Sequence, residues 1–312
     1  MSQEQWHAEI VITDTLVKEC LQMQFPDLLP IHLKCIGEGW DNKVYLINEN
    51  IIFRFPRRKI AVELIERENT VLQILQHQFN LEIPNPMFHG KPLPLYPYPF
   101  HGYKMIKGIA GCYESLTEEQ RIASLPPLAD FLKKLHHLDA PQAIKLKPYV
   151  FNRTNTPQSV EALQDRLHKI MTRNIVPINK AVFDLEMIAA LQIQLPNDKC
   201  LIHGDLYSRH LMFQQGHLTG IIDWGDIGIN NKSVDLAVIW SFYPQSCHPL
   251  FFEHYGAVDA ATWLYARFLG IYSSLTVILY ADDIGDKPLL YEAINSVKRI
   301  NPDLVYQKFS DH

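Results

Sequence analysis

From Ile31 onward, short runs rich in β-branched and aromatic residues alternate with turn residues. Residues 32–36, 43–48 and 51–55 form the runs, separated by Gly37-Glu38-Gly39-Trp40-Asp41-Asn42 and by Glu49-Asn50. Such close spacing predicts an antiparallel meander. Residues 62–76 change period: Leu64, Ile65, Val71, Leu72, Ile74 and Leu75 recur at three and four spacing with charges between them, which predicts an amphipathic helix. Pro84, Pro86, Pro92, Pro94, Pro97 and Pro99 crowd the next loop. The run "FHGYKMI" then resumes β character ahead of Gly108 and Gly111, a glycine-flanked candidate hinge.

Downstream the period is mostly helical. Thr117 with Gln120 offers a capping box, and helices are expected over residues 128–138, 159–173, 179–191, 233–242, 260–280 and 289–299. Short β runs flank "HGDLYSRH" and "TGIIDWG". The pattern is that of an α+β protein with a small antiparallel β lobe, residues 1–107, and a larger helical lobe, residues 108–312. At 312 residues, 47% hydrophobic and 20% charged, the chain is globular and long enough for two cores.

Charge and cysteine usage narrow the function. A net charge of -5 and no basic patch with interleaved aromatics argue against a nucleic-acid partner or an anionic membrane surface. Cys20, Cys35, Cys112, Cys200 and Cys247 form no CxxC pair, which points to reduced thiols in the cytoplasm and not to zinc. The start, "MSQEQWHAEI", lacks the basic and apolar runs of a signal peptide. Residues 263–281, the most membrane-like stretch, contain Arg267 and a Ser-Ser pair and read as a buried helix.

The chemistry centres on "LIHGDLYSRHLMF", residues 201–213. Asp205, on a loop flanked by apolar runs, is either a turn aspartate or a carboxylate placed to accept a proton from a hydroxyl. A turn at "QQGH" would reverse the chain and return Asp223 beside His210, offering two ligands to one divalent ion. An imidazole with a carboxylate suits Mn²⁺ better than Mg²⁺, which favours oxygens.

His203-Gly204-Asp205, a ligand at 210 and Ile222-Asp223-Trp224-Gly225 together resemble the aminoglycoside phosphotransferase family, a kinase-like group. The resemblance spans roughly residues 31–243 and implies a two-lobed protein-kinase-like fold. Most of the family has asparagine where this chain has His210, a replacement shared with the macrolide phosphotransferases of the same superfamily. The resemblance implies Asp205 as catalytic base, His210 and Asp223 as ligands of Mg²⁺ or Mn²⁺, His203 as a support of the loop, and Asp235 of "DLA" as its structural brace.

In the first lobe, "GEGWDN…FRFPRR…ERE" resembles the aminoglycoside 2''-phosphotransferase branch. It implies Gly37 and Gly39 in a turn covering the nucleotide, Arg54 in place of the usual lysine, and Glu68 as its helix partner. Arg57, Arg58 and Lys59 read as a solvated basic edge. "FHGYKMIKG" looks like the strand and hinge that hold the purine, with Tyr103 as gatekeeper and Lys104 and Ile106 offering backbone groups. A tyrosine there goes with GTP use in relatives, which implies GTP as a donor at least as good as ATP; the other reading of Tyr103 is ordinary core packing.

The expected activity is transfer of the γ-phosphate to a hydroxyl of an aminoglycoside- or macrolide-like small molecule. Alternatives are a metabolic kinase of the same fold, acting on a sugar, choline or homoserine-like substrate, and a nucleotide-binding pseudokinase, given Arg54 and His210. Asp282, Asp283 and Asp286 read as a helix-ending turn or as carboxylates for a cationic acceptor, and "IWSFYPQ" suits an uncharged one.

Overall fold

The computed structural model describes residues 8–39, 41–138 and 154–306; Trp40 of the expected nucleotide turn and most of the "MSQEQWHAEI" start lie outside these. The described residues group into two compact units. One comprises those up to Lys107 together with Ile221–Asp226, the other Gly108–Gly220 and those from Ile227 on.

The first unit opens with α1 (Asp14–Gln24), whose Thr13 hydroxyl caps the Leu16 N–H at 3.2 Å. Strands β1 (Leu33–Glu38), β2 (Asn42–Ile47) and β3 (Ile51–Pro56) form the expected meander, followed by α2 (Lys59–Leu75), β4 (Pro86–Gly90) and β5 (Phe100–Lys104). All pair antiparallel in the order β1-β2-β3-β5-β4. Alternation on β3 sends Phe53 and Phe55 into a core with Val17, Cys20, Leu21, Tyr45 and Phe100. Arg54 faces the other way, toward α2. Gly102 lies opposite Phe53, and a Cβ there would come within 2.7 Å of the Phe53 ring, so only glycine lets β5 close on β3.

The second unit contains β6 (Ile109–Ala110), α3 (Glu118–Ala123), α4 (Leu125–His136), α5 (Thr156–Thr172), α6 (Lys180–Leu191), β7 (Cys200–Ile202), β8 (Leu211–Gln214), β9 (His217–Ile221), β10 (Gly228–Asn230), α7 (Ser233–Phe242), α8 (His248–Tyr255), α9 (Ala260–Ile284) and α10 (Lys287–Ile300). The capping box at Thr117 and Gln120 forms on α3. The β8–β9 turn also forms, with Gln215 and Gly216 both at positive φ, as a two-residue hairpin turn requires. The strands flanking Asp205 go to different sheets: β7 pairs with β10, and β8 lies between β6 and β9.

Helices α4, α5 and α10 begin two or three residues before the apolar pattern suggests. Each has proline in its first turn, where the missing N–H costs nothing, although proline in a sequence reads as a breaker. Helix α2 starts early for another reason: the Glu9 carboxylate accepts the Lys59 N–H at 2.9 Å, a cap from far back in the chain. Helix α9 ends at Gly285, in the left-handed region. It alone among the described helices has the length and apolarity to cross a membrane, and 67% of its most apolar window is buried in the protein. It packs against α7, which is buried throughout.

Candidate active site

In the first unit β3 and α2 bring together three of the expected residues. Arg54 Nη1 reaches both Glu68 oxygens at 2.8 and 2.9 Å, and Nη2 lies 2.6 Å from Asp223 Oδ1. Arg54 is 5% exposed and Glu68 0%, so Glu68 is not a surface helix charge. Burial pushes the Glu68 carboxyl up to about 7, while Arg54 pulls it down. Asp223 adopts φ 63, a left-handed conformation that a non-glycine residue holds only when its surroundings fix it. Those surroundings are the Arg54 bond and Trp224, whose indole N–H donates to the Ile221 carbonyl at 3.0 Å.

His101 lies opposite Arg54 on β5 and was not foreseen in the sequence. Its Nδ1 is 2.6 Å from the Asn69 side-chain oxygen, and its Nε2, which has no hydrogen-bond partner, points to Glu68 Oε2 at 3.9 Å. Burial and then Arg54 hold its pKa well below the ordinary value, so the ring is neutral.

The turn over this region departs from expectation in two ways. Gly37 and Glu38 belong to β1, leaving Gly39 to Asp41 as the connection, with the Gly39 N–H donating to the Asn42 carbonyl at 2.9 Å. Arg57 and Arg58 are not a solvated edge. Arg57 binds the Gly39 carbonyl at 2.7 Å and Glu38 at 2.6 Å, and Arg58 pairs with Asp41, so both tie down the turn; only Lys59 is exposed. Tyr103 is buried opposite Ile52, Lys104 is exposed at the end of β5, and Ile106 is buried. Between the last two, the Met105 N–H is engaged by the Asn50 carbonyl at 2.8 Å.

In the second unit β7 delivers His203-Gly204-Asp205 onto Asp235 at the start of α7. Asp235 accepts the His203 N–H at 2.7 Å and the Gly204 N–H at 2.9 Å, so it braces the loop. Gly204, at φ 89, makes that turn possible. Two further residues complete the brace: His136 Nε2 is 3.1 Å from Asp235 Oδ2, and His136 Nδ1 is 2.7 Å from the Tyr255 hydroxyl. The tautomer that satisfies all three groups has Tyr255 donating to Nδ1 and Nε2–H donating to Asp235. Burial raises the Asp235 pKa, but His136 and the loop N–H groups outweigh it and hold the carboxyl below its ordinary range. His136 and Tyr255 escaped the sequence reading because they lie 99 residues before Asp235 and 119 after His136. No local pattern links positions so far apart.

Asp205 keeps its carboxylate at the surface, with the side chain 37% exposed, while its carbonyl accepts His210 Nδ1–H at 2.6 Å. His210 is 5% exposed, and that bond places its lone pair on Nε2. His203 is fully buried, its Nδ1 accepting the Asp205 N–H at 3.3 Å. Arg173 pairs with Asp282 at 3.4 Å and with Asp283, and Asp286 caps α10, in line with a helix-ending turn. Most of "IWSFYPQ" is core: Trp240, Phe242 and Tyr243 are all buried.

Comparison with known proteins agrees with this geometry. Residues 32–269 match the model of the phosphotransferase enzyme family, APH. The uncharacterized protein YcbJ of Bacillus subtilis (strain 168) is 25% identical over 228 residues, 68% of this chain and 69% of that protein. An aminoglycoside 3'-phosphotransferase of Salmonella typhimurium is 27% identical over 140 residues, covering 41% and 48%. Among solved structures, the GDP and kanamycin complex of APH(2")-IIia superposes with a TM-score of 0.70 at 22% identity, covering 92% of this chain and 98% of that one. Macrolide 2'-phosphotransferase MphH from Brachybacterium faecium gives 0.55 at 19%, covering 87% and 92%. The chain therefore belongs to the phosphotransferase enzyme family and has its kinase-like α+β fold. It is a phosphotransferase with an alcohol group as acceptor.

Proposed function

We propose that this enzyme transfers the γ-phosphate of ATP or GTP to a hydroxyl of a small aminoglycoside- or macrolide-like molecule, in the cytoplasm, with Asp205 as base. One observation carries this reading: the loop around Asp205 is buried and braced by Asp235, while the Asp205 carboxylate itself reaches solvent. A carboxylate so held can take the acceptor's proton as the oxygen attacks phosphorus.

The donor's base rests against Tyr103 and the backbone of Lys104 and Ile106, and its phosphates lie under Gly37, at the end of β1, and Gly39 just after it. Arg54, aimed by Glu68, holds phosphate oxygens. Its forked guanidinium suits two oxygens at once. Asp223 and His210 would hold Mg²⁺ or Mn²⁺, which supplies positive charge to the phosphate oxygens when bound. No cluster of three His, Cys, Asp or Glu occurs among the described residues, so the substrate phosphates would have to complete the ion's coordination. The imidazole favours Mn²⁺.

A pseudokinase reading is favoured by one contact, the Arg54 bond that engages the Asp223 carboxylate. Phosphate transfer is therefore measured with ATP and GTP, Mg²⁺ and Mn²⁺, across aminoglycosides, macrolides and small metabolic alcohols. Acceptor-dependent turnover establishes the kinase; nucleotide binding without turnover in any arm establishes the pseudokinase.

A further inference from the structure

Helix α2 is tied to the sheet by two consecutive residues. Glu68 grips Arg54 of β3 with both carboxylate oxygens, 2.8 and 2.9 Å from Nη1. Asn69, the next residue, meets β5, its side-chain oxygen 2.6 Å from His101 Nδ1. Arg54 and His101 lie opposite one another in the β3–β5 pairing, so the two contacts sit side by side. Neighbouring residues on a helix point about 100° apart around its axis. The Glu68 contact alone would let α2 turn about it; the Asn69 contact fixes that rotation, and with it the direction of the Glu68 side chain.

The two nitrogens of the His101 ring have different roles. The ring is fully buried and neutral, so it carries a single N–H. Asn69 presents an oxygen, which takes that N–H at Nδ1 and leaves the lone pair on Nε2. Nε2 has no hydrogen-bond partner among the described residues and stands 3.9 Å from Glu68 Oε2. A buried nitrogen without a partner is a cost that an apolar side chain at this position would avoid. Its lone pair offers the carboxylate nothing, so both Glu68 oxygens stay on Arg54. The opposite tautomer would aim an N–H at Oε2 and compete with the guanidinium for it. Tyr103, two residues along β5 on the same face, meets the ring edge-on at a centroid distance of 5.8 Å.

We propose that His101 and Asn69 are positioning residues for the donor nucleotide: by keeping His101 Nε2 without a proton they reserve Glu68 for Arg54, and so hold the guanidinium where it meets the phosphates. The proposal rests on the reading in which Arg54 binds those phosphates. It concerns nucleotide binding and makes no demand on the acceptor.

The test is calorimetric titration of the full chain with ATP and GTP, and with adenosine and guanosine as probes that lack phosphate. In His101→Gln the side-chain amide nitrogen falls near the place of Nε2 and can donate to Glu68. In Asn69→Leu the ring loses the acceptor that fixes its tautomer. Both should weaken ATP and GTP binding about tenfold, the effect of one competing hydrogen bond, and leave the nucleosides binding as in wild type. His101→Asn, whose amide nitrogen falls near Nδ1 and keeps the bond to Asn69, should stay within about threefold of wild type. Packing alone would favour the larger Gln, so this order separates positioning from filling of the core. Should His101→Gln fail to fold, Asn69→Leu, at a half-buried position, decides alone. ATP and GTP affinities within about twofold of wild type in Asn69→Leu, nucleoside binding that weakens in step, or His101→Asn binding no better than His101→Gln overturns the proposal. A wild type that binds neither ATP nor GTP overturns it together with the kinase reading. The expected order of affinities in a protein that transfers no phosphate would sink the kinase reading alone.

Discussion

The Arg54 cluster and the Asp205 loop both hold carboxylates in place, by opposite means. In the first, a buried cation bonds buried Glu68 and the half-exposed Asp223, so one positive charge meets two carboxyls. In the second, the buried anion Asp235 is held by backbone N–H groups and by His136, and the side chain of Asp205 is left 37% exposed. The buried Arg54 cation is kept charged by close anions. The Asp205 loop is positioned through its backbone, with the side chain left toward solvent.

The comparison breaks first at its two centres. Asp205→Asn should lower phosphate transfer by roughly two to four orders of magnitude with an unchanged melting temperature, because only the proton acceptor is lost. A variant that turns over at the wild-type rate removes Asp205 from the chemistry. Arg54→Met, by contrast, leaves Glu68 buried and uncompensated, and should cost about 3–5 kcal/mol in denaturant unfolding. A cost under about 1 kcal/mol would show that the pair is not buried in solution as it is here.

Smaller substitutions sharpen the difference. Tyr255→Phe removes the donor to His136 and leaves Asp235 its other partners, so a loss of about 1 kcal/mol is expected, with kcat falling more than KM changes. His136→Leu should cost more, because it strips a donor from a buried carboxylate; a larger effect from Tyr255→Phe would show that the two do not act in series.

The smallest effect is on pH dependence. His248 packs edge-on against Trp240 and Trp263, and burial lowers its pKa to about 4. The folded chain then binds no proton there between pH 6.5 and about 4, where the unfolded chain does, so stability falls as pH drops through that window. His101 has the same sign. Melting temperatures from pH 7 to 4 should fall less steeply in His248→Phe than in wild type, and parallel curves would exclude His248 as a contributor.

The meander, the order of the helices and the HGD loop were legible in the sequence because each is written in consecutive residues. Alternation placed Phe53 and Phe55 inward and Arg54 away from them, and apolar periodicity placed α7 and α9. Helix starts were less legible, since Pro126, Pro157 and Pro288 look like breakers until a helix is seen to begin at them. Arg57 and Arg58 misled for a related reason. A basic run reads as solvated unless the acids that meet it, Glu38 and Asp41, are known to fold back across the strand.

By itself, then, the sequence determined the α+β organisation and the family, both properties of local period and spacing. Tertiary structure alone decided which charges are buried and what holds them. It set the His101 ring near Glu68, and His136 and Tyr255 behind Asp235. The physical reason is that the cost of a buried charge depends on partners drawn from distant parts of the chain, and only the folded packing brings those partners together.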